Sequence, residues 1–186
     1  MKRVLAVVLV MFIISGCANI SSELDRTMRL RNRLLNGDGC TFDAVITADY
    51  GEKFYTFSLK CQSDRSGNVV FEVIQPETIS GITGTITEDG GKLTFDDQAL
   101  AFELLADGQI TPVSAPWIML HTLRGGYINA CGRENDGLYI QIDDSYSEGN
   151  MHVDFWTDAQ DKPVRAEIIY QGKRIVSIDV ENFTFL

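Results

Sequence analysis

The sequence predicts a mainly β, α+β chain: about eleven short antiparallel strands, one helix ahead of them and one apolar helix in their midst. Three observations predict it. From Cys40 onward apolar and polar residues alternate with a period of two, as in strands with a single buried face. Clusters of Gly, Asn, Asp, Ser and Pro interrupt this alternation at short intervals. Two segments break the period: residues 21–37 repeat helically, and residues 114–124 are apolar almost all round.

In chain order, Ser21 or Ser22 is expected to cap a helix that stops at Asn36-Gly37. On this helix Leu24, Met28, Leu34 and Leu35 fall on one side, with Arg26, Arg29 and Arg33 opposite, so an amphipathic stripe must cover something. Segments 41–49 and 52–62 then flank Tyr50-Gly51, which reads as a two-residue hairpin turn. In that register opposed residues sum to 101: Phe42 meets Leu59, Ala44 meets Phe57 and Ile46 meets Tyr55. Further strands are expected at 68–75, 81–87, 92–95 and 99–104. Residues 105–113 read as a loop, followed by a helix capped by Ser114, with Pro116 in its first turn and Gly125-Gly126 at its end. Strands at 127–131, 138–142, 151–156, 164–170 and 174–185 complete the chain. No long linker, repeat or low-complexity segment divides it, so a single domain is expected.

The first residues have another duty. Lys2-Arg3 precede an unbroken apolar run, residues 4–14, and Ser15-Gly16-Cys17 close it. A basic start, a short apolar stretch and small residues at a cut are the parts of an export signal, and the run is too short to span a bilayer, which takes about 20 residues. Gly16-Cys17 resembles the lipobox of bacterial lipoproteins. That resemblance implies removal of residues 1–16, a diacylglycerol on the Cys17 thiol and palmitate-type acylation of the new amino terminus. An ordinary secretory signal with a chance cysteine is the alternative. Either way, the remaining 170 residues, 17–186, suffice for one domain with a core.

Charge narrows the partners. Without the leader the chain carries 14 Lys and Arg against 26 Asp and Glu, net −12, which argues against nucleic acid. Residues 17–37 nevertheless hold a local excess of +2, from Arg26, Arg29, Arg31 and Arg33 against Glu23 and Asp25. A basic segment beside a lipid anchor suits an anionic membrane; a solvated helix face reads equally well.

The order helix, strands, apolar helix, strands resembles the lipoprotein-carrier, LolA/LolB-like superfamily over residues 21–186. Local cues are the turn Gly90-Gly91-Lys92-Leu93-Thr94-Phe95-Asp96-Asp97 and the turn Gln171-Gly172-Lys173-Arg174 leading into the last strand. The resemblance implies a single strongly curved sheet, an incomplete barrel of about 10–11 strands, with helices over its concave face and an apolar cavity within. It also implies that the protein binds acyl chains, lipoproteins or envelope partners and does not catalyse. No ligand residue of that family aligns with a position here.

Chemical motifs point the same way. His121 lies amid apolar residues and His152 alternates outward; neither is placed as a base. No Gly-x-Ser-x-Gly elbow, zinc spacing, EF-hand loop or phosphate loop occurs, so no cofactor or metal is expected. The acidic pairs Asp96-Asp97 and Asp143-Asp144, with Glu134 and Asp136, read as turn and surface residues. In the register above, Cys40 and Cys61 stand opposite one another at a non-hydrogen-bonded site, about 4.5 Å apart at Cα, within disulfide range. Cys131 is then the odd thiol and is able to compete for either.

Two functional readings follow. In the first, a membrane-anchored extracytoplasmic lipoprotein holds an acyl chain, lipid or other apolar ligand in a cavity lined by Phe42, Phe57, Leu59, Phe71, Val73, Trp117 and Leu120. In the second, an envelope module with a packed core binds a protein or glycan through exposed aromatics such as Tyr50, Tyr139, Tyr146 and Trp156.

Overall fold

The computed structural model describes residues 18–87, 110–143 and 151–186. Helix α1 spans Ala18–Asn36 and is followed by β1 (Gly39–Asp49), β2 (Phe54–Asp64), β3 (Val69–Gln75) and β4 (Thr83–Ile86). Helix α2 spans Ala115–Gly125, and β5 (Tyr127–Glu134), β6 (Gly137–Asp143), β7 (Met151–Thr157), β8 (Pro163–Tyr170) and β9 (Lys173–Phe185) follow it. The expected strands at 92–95 and 99–104 lie outside the described residues, as do the 90–97 turn, Cys17, Asp144 and Tyr146.

The nine strands among the described residues form one antiparallel sheet in the order β4-β3-β2-β1-β9-β8-β7-β6-β5. It consists of two meanders, β1 to β4 and β5 to β9, zipped together where β1 pairs with β9. Among the described residues the sheet is not closed: β4 and β5 are its two ends. The open half-barrel expected from the sequence is therefore the architecture found. Five of the eight strand pairings carry a register shift, and such bulges bend and twist strands toward a curved sheet. At one of them Asn182 takes φ of 54° and its amide donates to Asp43 Oδ2 at 2.7 Å.

Turn chemistry sets the hairpins. Asn135-Asp136 and Gln171-Gly172, all at positive φ, close two-residue turns between β5 and β6 and between β8 and β9. The first hairpin differs from expectation. Asp49 pairs with Phe54, so the loop has four residues, Tyr50 to Lys53, and opposed residues sum to 103. The Tyr50 amide donates to the Lys53 carbonyl at 2.9 Å, and the Gly51 amide donates to Asp49 Oδ1 at 2.6 Å. A slip of two residues leaves every side chain on its own face, so hydrophobic pattern alone cannot separate the two registers. The loop's own hydrogen bonds decide between them.

Two glycines fit where nothing larger can. A Cβ on Gly39, whose φ is 130°, would stand 2.0 Å from the Ser63 carbonyl oxygen. One on Gly137 would stand 1.8 Å from that of Thr157.

The helices also correct the sequence reading. Helix α1 runs past Ser21 and Ser22 to Ala18, so neither serine caps it. It packs through Thr27, Leu30 and Leu34, whereas Leu24, Met28 and Leu35 are each 40 % exposed. The stripe thus splits, because Leu34 points inward with Leu30 while its three supposed companions face solvent. Ser114 does stand at the N-cap of α2, but without a side-chain capping bond: its hydroxyl donates to the Thr111 carbonyl at 2.7 Å in a preceding 3₁₀ turn.

Candidate functional site: the concave face beneath the central helix

Inward residues of β1, β2 and β3 form one half of the wall. Phe42 stands opposite Cys61, Ala44 opposite Leu59 and Ile46 opposite Phe57, while Phe71 and Val73 extend the row on β3. The second meander continues the same face, with Ile140 opposite Phe155, Val153 opposite Ile168 and Ala166 opposite Ile178. This half was written in the alternation of β6 to β9 but went unread as a wall, since only the register across β1 and β9 joins it to the first.

Six of the seven proposed cavity residues do come together. Phe42, Phe57, Leu59, Phe71, Val73 and Leu120 belong to one apolar cluster, each at most 3 % exposed. They are packed, then, rather than exposed. Trp117 differs. It is half-buried on the outer flank of α2, stacked on His121 with ring centroids 4.6 Å apart. Ala115, Met119, Thr122 and Leu123 make the inward face of the helix instead. A spacing of three placed Trp117 beside Leu120, but the helix turns its apolar arc so that only Leu120 is covered. Beside Trp117 a polar recess of about 200 Å³ includes Asn68, His121 and Arg124.

Arginines fix the far end of α2. Arg31 of α1 donates from Nε to the Leu123 carbonyl at 2.8 Å and from Nη2 to the Gly126 carbonyl at 2.7 Å. Arg124 donates to the carbonyls of Leu34 and Arg65. Cations at the carboxyl end of a helix satisfy its orphan carbonyls and oppose its dipole. The two helices are thereby clasped at one end, and the rest of α2 sits on the wall through apolar side chains.

Buried polar groups on the inner side are few, and nearly all are satisfied. Thr157 accepts from the Leu138 amide, Thr27 donates to the Glu23 carbonyl, Ser63 donates to the Asp64 carbonyl, and Glu23 accepts from Ser22. Thr122 is the exception. It is fully buried in the last turn of the helix, on the inward face, and its hydroxyl finds no partner among the described residues. Sequence reasoning passed over it, because a threonine in an apolar helix carries no motif.

The thiols do not pair. Cys40 and Cys61 are both buried and free. With the true register, Cys40 faces Ser63 and Cys61 faces Phe42, so the two lie diagonally and the directly opposed geometry expected for a disulfide is absent. Burial pushes Cys40 up to about 12, although Arg124 opposes the shift, and burial raises Cys61 as well. Cys131 is free too; burial and the Glu23 carboxylate raise it, against a hydrogen bond with Thr27.

Charge is held on the outer face of the sheet. Glu167 binds Arg165 at 2.6 Å and Arg174 at 3.1 Å. Burial alone would raise this carboxyl, but the two guanidinium groups hold it below its ordinary value. Tyr139 packs on Trp156 with centroids 5.3 Å apart and is pushed up to about 12 by burial and Asp154. His152 faces outward, 4.0 Å from Asp154. No group of three or more His, Cys, Asp or Glu side chains is gathered for a metal among the described residues, and none of their helices is long and apolar enough to cross a membrane.

Comparison with solved structures finds distant likenesses. An uncharacterized conserved protein from Thermus thermophilus is 14 % identical over 86 % of each chain, with a TM-score of 0.46. A LolA superfamily protein from Nitrosomonas europaea is 10 % identical over 91 % of this chain and 94 % of that one, with a TM-score of 0.45. The half-barrel has a LolA superfamily protein among its likenesses. MucB in the MucA/MucB complex of Pseudomonas aeruginosa is 9 % identical over 87 % of this chain and 57 % of that one, at 0.42. At these values the likeness is one of fold alone. No family model matches the chain, and no curated protein matches it.

Proposed function

We propose that this protein is a cell-envelope lipoprotein, tethered through Cys17 after removal of residues 1–16, whose domain 17–186 binds an acyl chain or similar apolar ligand between the concave sheet face and α2. The reading is one of binding and not of turnover. One observation carries it: the unpartnered hydroxyl of Thr122 on the inward face of α2, set in an otherwise apolar wall. A buried hydroxyl left unbonded costs about 1–3 kcal/mol. An apolar ligand with one polar group would relieve that cost while covering the wall. Because the wall is packed, the ligand enters by lifting α2 about its clasped end, and the described form is the closed one.

The competing reading, a module that binds an envelope protein or glycan on its surface, is favoured by the near-complete burial of Phe42, Phe57, Leu59, Phe71 and Val73. Titration with a fluorescent fatty acid separates the two. Saturable uptake that is weakened in Leu120→Asp supports the ligand site; no uptake of any acyl probe by wild type leaves the surface module. The tether has its own test. Wild type should take up labelled palmitate and partition with membranes, and Cys17→Ser should do neither.

A further inference from the structure

We propose that the recess on the outer flank of α2, where Trp117, His121 and Arg124 meet the loop from Ser66 to Asn68, is a binding site for a phosphoryl group. The three helix positions are four and three apart, so they share one side of α2. Thr122, which faces the proposed acyl wall, is not on that side. The recess holds about 200 Å³. Gly67, at φ of 90°, lets the loop close on the arginine: a Cβ there would stand 3.1 Å from Arg124 Nε. The loop is fixed from behind, because the Asn68 amide and side chain donate to the Asp64 carboxylate at 3.0 and 2.8 Å.

Hydrogen-bonding capacity selects the ligand. A guanidinium carries five N–H donors. Arg124 gives one to the Leu34 carbonyl and one to the Arg65 carbonyl, which leaves three. Trp117 adds an indole N–H and His121 an imidazole N–H, neither of them bonded among the described residues. Their rings stack on one another, so each holds the other in place beside the arginine. Ser66 adds a hydroxyl at the rim. Among the described residues no carboxylate lines the recess or pairs with Arg124, although residues 17–186 carry a net charge of −12. The nearby Asp64 carboxylate is taken up by the loop itself. A cation among several donors, with no acceptor of its own charge, suits a tetrahedral oxyanion. A phosphoryl group brings three strong acceptor oxygens and nearly two negative charges; a carboxylate brings two oxygens and one charge.

The test titrates inorganic phosphate into the Cys17→Ser protein by calorimetry at low salt, with acetate as the comparison. Saturable phosphate binding is expected, about tenfold or more tighter than acetate. Arg124→Gln should weaken it about tenfold or more. Because that change also removes the clasp on α1, His121→Asp supplies a second variant: it leaves Arg124 in place, and it should abolish binding while the protein still melts cooperatively. Trp117 reports the location. It and Trp156 are the two tryptophans of the chain, so in a Trp156→Phe background its emission should change with the calorimetric midpoint. Glycerol 3-phosphate and dihexanoyl phosphatidic acid distinguish the source: the tighter of the two assigns the group to a soluble ester or to a lipid headgroup. Absence of saturable phosphate binding, acetate bound as tightly, His121→Asp bound like its parent, or binding that leaves Trp117 emission unchanged would each overturn the proposal.

Discussion

Replacing Thr122 by Val should make the ligand-free protein more stable, an unusual result for a change in a fully buried residue. The exchange swaps a hydroxyl for a methyl of similar size, so it opens no cavity, and the two residues have similar helix propensities. What it removes is a buried donor and acceptor without a partner among the described residues. That penalty is about 1–3 kcal/mol. A gain of about 1–2 kcal/mol is expected, which for a chain of this length raises Tm by roughly 2–8 °C. Differential scanning calorimetry on delipidated protein measures it. With a saturating fatty acid the order should narrow, since the wild-type hydroxyl then gains a partner that Val cannot supply. The mutant's affinity should fall about fivefold, equivalent to about 1 kcal/mol. A Thr122→Val protein that melts below wild type would show that the hydroxyl is bonded within the fold. The case for a polar position awaiting a ligand would then be lost.

Four further outcomes are expected. Gly137→Ala should cost roughly 3 kcal/mol or more, seen in urea unfolding, because its Cβ would strike the Thr157 carbonyl. Non-reducing peptide maps should show no link between Cys40 and Cys61, and both thiols should resist alkylation until the protein unfolds. Because burial raises Cys40 from 9.0 and Tyr139 from 10.0, each to about 12, the unfolded chain releases these protons first; stability should therefore fall as pH climbs from about 9 to 12. Glu167 has the opposite sign. Its folded value is lowered from 4.5, so its contribution is present above that pH and disappears as acid protonates the folded carboxylate, and Arg165→Met should flatten this acid limb.

The strand pattern was legible because burial alternates with a period of two, and β6 to β9 fall within a residue or two of their expected limits. The turn Gln171-Gly172 was likewise readable from its glycine, which takes positive φ without steric cost. Three things were hidden. The register of β1 on β2 was missed by two residues, as a shift of two keeps Phe42, Phe57 and Leu59 inward. The disulfide rested on that register and fell with it. The direction of α1 was also misjudged, since Leu24, Met28 and Leu35 are no less apolar than Leu30 and Leu34. Which leucines turn inward depends on where β5 and α2 meet the helix, a tertiary fact that local pattern does not carry. Among the proposed site residues, the aromatic and aliphatic side chains of β1 to β3 were found from alternation alone. Thr122 was not, because its interest lies in a missing partner.

The central claim is that an apolar ligand resides beneath α2. Native mass spectrometry of the Cys17→Ser protein, purified from the membrane-free fraction of a bacterial host, tests it most directly. The account predicts a population carrying one acyl lipid, lost in Leu120→Asp. A Cys17→Ser protein that flies only at its bare mass, and takes up no fatty acid on titration, would contradict it.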